Sequence, residues 1–556
     1  MSLQIEIAFS VPKETARIAQ ASFPKGNVYM TMRDQLGTLF EDKQFTDLFP
    51  PQGQPAEAPW RLALVSVMQF AENLPDRQAA DAVRSRIDWK YAMGLQLTDP
   101  GFDFSILSEF RARLLQNGAE QRLFETLLTL CQERGWLKAR GKQRTDSTHV
   151  LAAIHALNRL ENVGETLRHT LEVLAQEHPD WLRAHLQPEW ADRYGKRFEN
   201  YRLPRDKAQR ETLAATIGGD GLLLLSALFA PTTPKDLGQL PAVAVLRQVW
   251  IQQFVVEAGQ IRWRQTKELP PASLMINSPY DIQARYSIKR ETVWTGYKAH
   301  LTETCDTDTP HLITHVRTTP GTTQDSDVTA DIHADLKDAD LLPRTHIVDA
   351  GFVDAPLLVE SQKDYGVELL GPVARDGSWQ AVAKRGFDQS QFTVDWDAQQ
   401  VTCPHGKQSS SWLPQKDGFN NDVIHVKFSV RDCQACEARS LCTHSRSGRR
   451  EVALRPKEQY LALQATRAAQ KTSEFHERYK ARAGIEGTLS QAIRVGGLRR
   501  SRYIGQAKTH LQNVIIATAL NVLRLVAWLD EVPREKTRTS HFALFCAQTT
   551  VIAGAV

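Results

Sequence analysis

The segment Thr345-His-Ile-Val-Asp349-Ala-Gly351 constrains the fold of this chain most tightly. An apolar run that ends in an acid, a small residue and a glycine predicts a strand buried on both faces, with its carboxylate delivered at the carboxyl edge of a central sheet. Such a sheet needs covering helices, and the flanks supply them. Strands are predicted at Tyr286 to Lys289, Val293 to Leu301, His311 to Thr318 and Val367 to Leu370, and helices at Asp325 to Leu336 and Pro356 to Lys363. Residues 266–375 therefore read as α/β.

The chain has 556 residues, which at about 150 residues per domain suggests three or four modules. Residues 1–140 read as a helical, DNA-contacting domain, with helices at Ala58 to Glu72, at Asp76 to Ile87 capped by Asp76, and at Ser105 to Leu115 capped by Ser105. The gap between the last two is too long for a compact helix-turn-helix. Residues 141–156 hold a first core strand, Gln143 to Leu151, expected to deliver Asp146 at its end. Residues 157–265 read as an all-helical insertion, with Leu160, Val163, Leu167, Leu171 and Leu174 at helical spacing and the pattern continuing to about Trp263. Residues 376–456 alternate with period two among turn residues and predict a β-rich insert. Residues 457–530 predict one helix from Lys457 to Val495, stopped at Gly496-Gly497, and a final apolar helix from Gln506 to Leu529; residues 531–556 form a tail.

Hydrophobic residues at 42% and charged residues at 24% are globular proportions, and the net charge of +4 permits nucleic-acid binding without arguing for it. Local charge has to decide. Arg77, Arg84, Lys90 and Arg111 recur along the N-terminal helices, and Arg499, Arg500, Arg502 and Lys508 cluster near the C-terminus with Tyr503 and His510 interleaved. Both groups suit phosphate contact, and both also suit a solvated face. The first twenty residues carry Glu6, Lys13, Glu14 and Arg17 and lack the apolar core of a secretory signal, so a cytoplasmic location is expected. Val514 to Leu529 includes Asn521 and Arg524, so it reads as a buried core helix with no membrane role.

Two constellations carry chemistry. Tyr479, Arg482 and Glu486 follow a Y-x2-R-x3-E spacing that puts all three on one face of a helix, where a metal or phosphate site could use them. The same spacing also suits a surface Arg–Glu pair beside a packed tyrosine. Four of the seven cysteines, Cys403, Cys433, Cys436 and Cys442, lie close in sequence, with Cys433 and Cys436 forming a C-x2-C knuckle. Four thiolates suit a structural Zn²⁺, with His405 or His444 as a substitute ligand, and reduced thiols without metal are the alternative. Cys131, Cys305 and Cys546 read as structural.

With Phe23-Pro-Lys-Gly-Asn27, Tyr29-Met-Thr-Met-Arg33, Asp76-Arg-Gln-Ala-Ala-Asp-Ala-Val83, Asp88-Trp-Lys-Tyr91, Thr145-Asp146-Ser-Thr-His149, Trp294-Thr-Gly-Tyr297-Lys298, Asp349-Ala-Gly351 and the Glu486 helix, the chain resembles the DDE transposases of bacterial insertion sequences that carry a Y-R-E signature. It looks closest to the eleven-eighty-two insertion-sequence family. The resemblance implies a ribonuclease-H-like core, a mixed sheet flanked by helices, interrupted by the helical and the zinc-type β-rich insertions. It also implies that Asp146, ending the first strand, Asp349, ending the fourth, and Glu486 on a late helix form the catalytic triad. Three converging carboxylates suit two Mg²⁺ or Mn²⁺ ions. Family members often carry a lysine seven positions after the glutamate; Ile493 stands there, and Arg494 is the candidate replacement. Asp281, Asp325, Asp327 and Asp354 are rival acids, and His149 is more readily a packed imidazole than a ligand. The implied partners are double-stranded DNA, as terminal inverted repeats and target, and a second copy of the chain in a dimer or higher assembly at the nucleoid. The rival readings are a general metal-dependent nuclease and a DNA-binding regulator without catalysis.

Overall fold

The computed structural model describes residues 2, 3, 5, 10–533, 541 and 542. Cys546 and most of the 531–556 tail lie outside the described residues.

The N-terminal helices are Lys13–Ser22, Val28–Leu36, Pro59–Ala71, Asp76–Ser85, Ile87–Met93, Ser105–Gln116 and Arg122–Glu133. Local chemistry sets several of their ends. Asn27 caps the second by accepting the Tyr29 N–H at 2.8 Å, Pro59 opens the third, and Gly94 closes the fifth in the left-handed conformation. The helix expected from Asp76 to Ile87 ends at Ser85, because Arg86 takes extended backbone and turns its guanidinium to Glu72 and Asp88. The expected caps also differ, with Pro75 and Phe104 in the N-cap positions and Asp76 and Ser105 one residue inside.

Six strands form the central sheet among the described residues: β1 (Lys142–Leu151), β4 (Arg285–Lys289), β5 (Thr292–Thr304), β6 (Ile313–Pro320), β7 (Thr345–Ile347) and β8 (Glu368–Leu370). Its order is β6-β5-β1-β7-β8, with β4 pairing the outer part of β5. β5 runs antiparallel to β1, with Leu301 opposite Asp146, whereas β7 and β8 run parallel to their neighbours. Helices Thr329–Asp338 and Ala355–Tyr365 connect the parallel strands, the second capped by Asp354. The final helix, Gln506–Leu529, lies across the sheet and joins it to the N-terminal helices. Trp60 and Phe110 from those helices, Leu301 and Ile313 from the sheet, and Ile515 and Leu525 from the final helix belong to one contiguous core.

Among the described residues two helices, Lys207–Leu228 and Gln506–Leu529, are long and apolar enough to span a membrane, and the second is mostly buried in this core. Asn521 and Arg524, polar residues within its apolar stretch, have internal partners. Asn521 accepts the Ile313 N–H and donates to the Ile313 carbonyl, each at 2.8 Å, standing in for a strand beyond β6.

Between β1 and β4 the helices Arg159–Glu177, Pro179–His185, Trp190–Tyr194, Lys207–Leu228 and Pro241–Gln253 enclose their own core of Val163, Leu167, Trp190, Ile217 and Trp250. The helical pattern expected to continue to Trp263 stops earlier, at the hairpin β2 (Phe254–Glu257) and β3 (Gln260–Trp263). Ala258 and Gly259 both adopt positive φ there, the two-residue turn that suits the twist of paired strands.

After β8 the chain forms β9 (Thr393–Asp395), β10 (Gln400–Thr402), β11 (Ser409–Lys416), β12 (Asp422–Phe428) and β13 (Glu451–Leu454) around Phe392, Val401, Val426 and Phe428. The single helix expected from Lys457 to Val495 is broken into Lys457–Ala469, Ser473–Tyr479, a 3-10 turn at Lys480–Ala483, and Gly484–Gly496. Thr472 restarts it by accepting the Phe475 N–H, and Gly497 ends it in the left-handed conformation.

Candidate active site

Asp146 lies midway along β1, not at the strand end expected for it. The strand continues to Leu151 because distant segments hold it there: Leu151 lies opposite Gly296, its N–H donates to the Arg499 carbonyl at 2.8 Å, and its carbonyl accepts the Ser501 N–H at 2.9 Å. Alternation along the strand places Arg144, Asp146 and Thr148 on one face. Each meets the C-terminal part of the chain, through Ala481, Arg482 and Arg499 respectively.

Asp349 stands two residues beyond β7 and caps the short turn Ala350–Phe352, accepting the Gly351 N–H at 2.8 Å. Glu486 sits in the first turn of helix Gly484–Gly496, where the helix dipole favours a carboxylate. Its side chain is 64% exposed.

One guanidinium joins the three acids. Arg482 Nη2 lies 2.7 Å from Asp146 Oδ2 and 3.8 Å from Asp349 Oδ2, while Nη1 lies 2.8 Å from Glu486 Oε1. Burial pushes the Asp146 carboxyl up to about 6, with Arg482 opposing the rise and Asp349 adding to it. Burial would lower the Arg482 pKa, but Asp146 and the other groups around it raise it above its ordinary value.

Tyr479 is half-buried at the end of its own short helix and stacks on Phe475 at 5.6 Å. Of the expected helical face, the ion pair between Arg482 and Glu486 forms. Arg494 is exposed in the last turn and makes no ion pair with the three acids.

The rival acids separate by their partners. Asp281 accepts the Tyr297 hydroxyl at 2.6 Å and the Gly505 N–H at 3.1 Å, Asp327 accepts the Gln324 N–H, and Asp354 accepts the Leu357 N–H. Asp325 borders the site: it accepts Ser147 Oγ at 3.1 Å and Lys298 Nζ at 3.2 Å, and a Cβ on Gly351 would lie within 3.3 Å of both its Oδ2 and Asp349 Oδ1. His149 packs beside Trp294, their ring centroids 5.5 Å apart, and burial lowers its pKa.

The expected DNA-facing residues also divide. Arg499, Arg500 and Lys508 are exposed, and the Arg499–Ser501 backbone pairs with the end of β1. Arg499 Nε donates to Thr148 at 3.0 Å. Arg77 is exposed over the Phe104 ring, and Arg84, also exposed, binds the Pro100 and Phe102 carbonyls. Lys90, Arg111 and Arg502 face inward, contrary to expectation. Lys90 is buried and donates to the Asp99 carbonyl at 2.8 Å; Arg111 is buried against Asp76 at 2.5 Å; Arg502 donates to the Leu74 carbonyl at 2.7 Å and covers Phe70.

Among the described residues no three His, Cys, Asp or Glu side chains stand in a metal-holding arrangement. The donor chemistry of the acidic trio nevertheless fits a hard divalent cation, since three carboxylates already converge on one positive group. Cys403, Cys433, Cys436 and Cys442 line one cavity beside Phe428 and Arg450. Burial raises the Cys442 thiol, Arg450 opposes the rise, and the other three cysteines add to it. Four crowded thiols fit a thiophilic ion such as zinc.

Residues 402–526, which contain these cysteines and Glu486, match a family described as a transposase DDE domain. Residues 17–113 match a transposase domain (DUF772). Both matches are to transposase families. Together they are consistent with an insertion-sequence transposase. No curated protein and no solved structure matches the chain.

Proposed function

We propose that the chain is an insertion-sequence transposase of the eleven-eighty-two type, which binds the terminal inverted repeats of its element, cuts at the ends and joins the freed 3′-hydroxyl to target DNA. The observation that carries this reading is the convergence of Asp146, Asp349 and Glu486, from three distant segments, on the guanidinium of Arg482. The sheet order supports a ribonuclease-H-like core, with three antiparallel strands followed by two parallel ones and the first two acids on adjacent strands or just beyond.

Asp146, Asp349 and Glu486 would hold two Mg²⁺ or Mn²⁺ ions, whose chemistry when bound is to activate the attacking oxygen and stabilise the leaving one. Arg482 keeps the acids together by offsetting their mutual repulsion. Arg499 and Arg500, fastened beside β1, would hold the DNA backbone next to the acids, with Lys508 on the same C-terminal segment and Arg77 and Arg84 on the N-terminal helices as further contacts. The four cysteines would hold a structural zinc, checked by metal analysis of the purified protein and of Cys436→Ser.

The test is cleavage of DNA carrying the terminal repeats by purified protein with Mg²⁺, beside Asp146→Asn, Asp349→Asn and Glu486→Gln. Cutting by wild type and by none of the three is expected. Cutting retained in all three would refute the site, specific binding without cutting would identify a regulator, and cutting indifferent to the repeats would identify a general nuclease.

A further inference from the structure

Behind the acidic trio, and fully buried, Glu303 ties together the elements that carry it. Glu303 lies on β5 directly opposite Arg144 of β1, two residues before Asp146, and accepts from Arg144 Nε at 2.7 Å. The same Arg144 reaches across with Nη1 to the carbonyl of Ala481, the residue before Arg482, at 2.5 Å. The second oxygen of Glu303 accepts Thr488 Oγ1 at 2.5 Å, two residues after Glu486, and Arg524 Nη1 at 2.8 Å. Arg524, from the final helix, closes the circuit by donating to Thr488 at 2.7 Å and to Gln491 at 3.0 Å. Gly484 lies over this network: a Cβ there would stand 2.1 Å from Arg144 Nη1.

We propose that Glu303 is a positioning residue for phosphoryl transfer: by holding Arg144, Thr488 and Arg524 at once, it fixes the Arg482–Glu486 turn against Asp146 of β1. This assignment rests on the transposase reading for its chemistry and on the hydrogen bonds alone for its geometry. A buried carboxylate between two arginines is costly to desolvate and is not needed for a well-packed core, where an apolar cluster would serve as well. Two of the network's hydrogen bonds instead fall at residues 481 and 488, one before Arg482 and two after Glu486. Its loss would let the turn move while leaving the exposed basic residues that hold DNA in place. A displacement of about 1 Å at reacting groups can cost about a hundredfold in rate.

The test compares wild type with Glu303→Gln, Thr488→Val and Gly484→Ala, each with two readouts. Cleavage kinetics should show kcat reduced by about a hundredfold, with KM for the DNA unchanged, the signature of lost transition-state geometry. Hydrogen exchange should quicken at residues 480–489 in all three variants but not in the paired centre of β1 and β5. Thr488→Val leaves Arg144 and Arg524 paired with Glu303, so it carries the test if Glu303→Gln, or Gly484→Ala with its displaced Arg144 guanidinium, does not fold. Unchanged kcat and unchanged exchange in folded variants would overturn the proposal, as would a rise in KM alone. If wild type does not cut DNA but the exchange changes as expected, the transposase reading falls, the phosphoryl-transfer role falls with it, and only the hold of Glu303 on the Arg482–Glu486 turn stands.

Discussion

Arg482 donates to Asp146 across 2.7 Å from a segment that enters the sheet region only after both insertions. The same guanidinium holds Glu486, so one side chain sets the separation of two acids that share no local structure. Arg482→Lys keeps a charge but cannot reach both carboxylates with a planar fork. Cleavage should fall by about a hundredfold in Arg482→Lys, because acids no longer held at their proper separation misplace the reacting groups, and further in Arg482→Ala, which also leaves their mutual repulsion unopposed. Steady-state cleavage assays at saturating Mg²⁺ check this; full activity in Arg482→Lys would mean that the bridge is incidental.

The division of the basic residues makes a second expectation. Arg499 and Arg500 are exposed beside β1, so Arg499→Ala and Arg500→Ala should each reduce the slope of log affinity against log salt by about one. Lys90→Ala and Arg111→Ala should leave that slope alone and lower the melting temperature. Arg111→Ala strips Asp76 of its charged partner and leaves it the Gln69 amide alone, a loss of about 2 kcal/mol. Binding titrations at several salt concentrations, paired with thermal melts, would expose a wrong division if Arg111→Ala flattened the slope without loss of stability.

Three buried histidines and the partly buried His510 contribute to the response to acid. Burial pushes His300 down to about 3, His333 and His510 down to about 4, and His346 well below its ordinary value. They are wired as neutral rings, with His333 Nε2 2.8 Å from His346 Nδ1 and His346 Nε2 2.6 Å from Thr145 Oγ1. The unfolded chain takes up protons near pH 6.5 and the folded chain does not. Stability is therefore full above that pH and falls as the pH drops toward 4, by up to about 1.4 kcal/mol per pH unit for each histidine. Glu303 behaves differently. Burial would raise its pKa, but Arg524 and Arg144 hold it below the ordinary range, so its contribution is lost only at still lower pH. Melting temperatures between pH 7 and 4.5 should decline steadily; a flat profile would contradict neutral burial of these rings.

What could be read from the sequence is what local pattern determines. The apolar run before Asp349 marks the β7 strand end, and the bounds of helix Gln506–Leu529 follow from its apolar pattern. The spacing of Arg482 and Glu486 gives their ion pair across a turn that is partly 3-10. The rest depends on partners far along the chain. The strand expected over Gln143 to Leu151 forms as β1, but Asp146 lies midway along it, where the contacts of Leu151 with Gly296 and Arg499–Ser501 hold the strand beyond the acid. Lys90 and Arg111 resemble any solvated helical cation until Asp99 and Asp76 are seen beside them. The hairpin after Gln253 carries a local signal, Phe-Val-Val before Ala258-Gly259, that the preceding helical periodicity masks.

Asn521 offers the sharpest test of how the sheet is closed. It lies in the apolar helix Gln506–Leu529, where an amide lowers hydrophobicity without improving helix propensity. Its function is at the β6 edge, where it satisfies both the N–H and the carbonyl of Ile313, each at 2.8 Å. Asn521→Leu would increase apolar contact but leave two buried backbone groups unpaired, at about 1–3 kcal/mol each. Asn521→Asp would satisfy the N–H and set a carboxylate against the Ile313 carbonyl, so it should be at least as damaging as leucine despite its matching size. Denaturant melts of both variants should show destabilisation with the m-value unchanged. If Asn521→Leu proved more stable than wild type, the hydrophobic gain would outweigh the hydrogen bonds, and the amide would not be what completes the sheet edge.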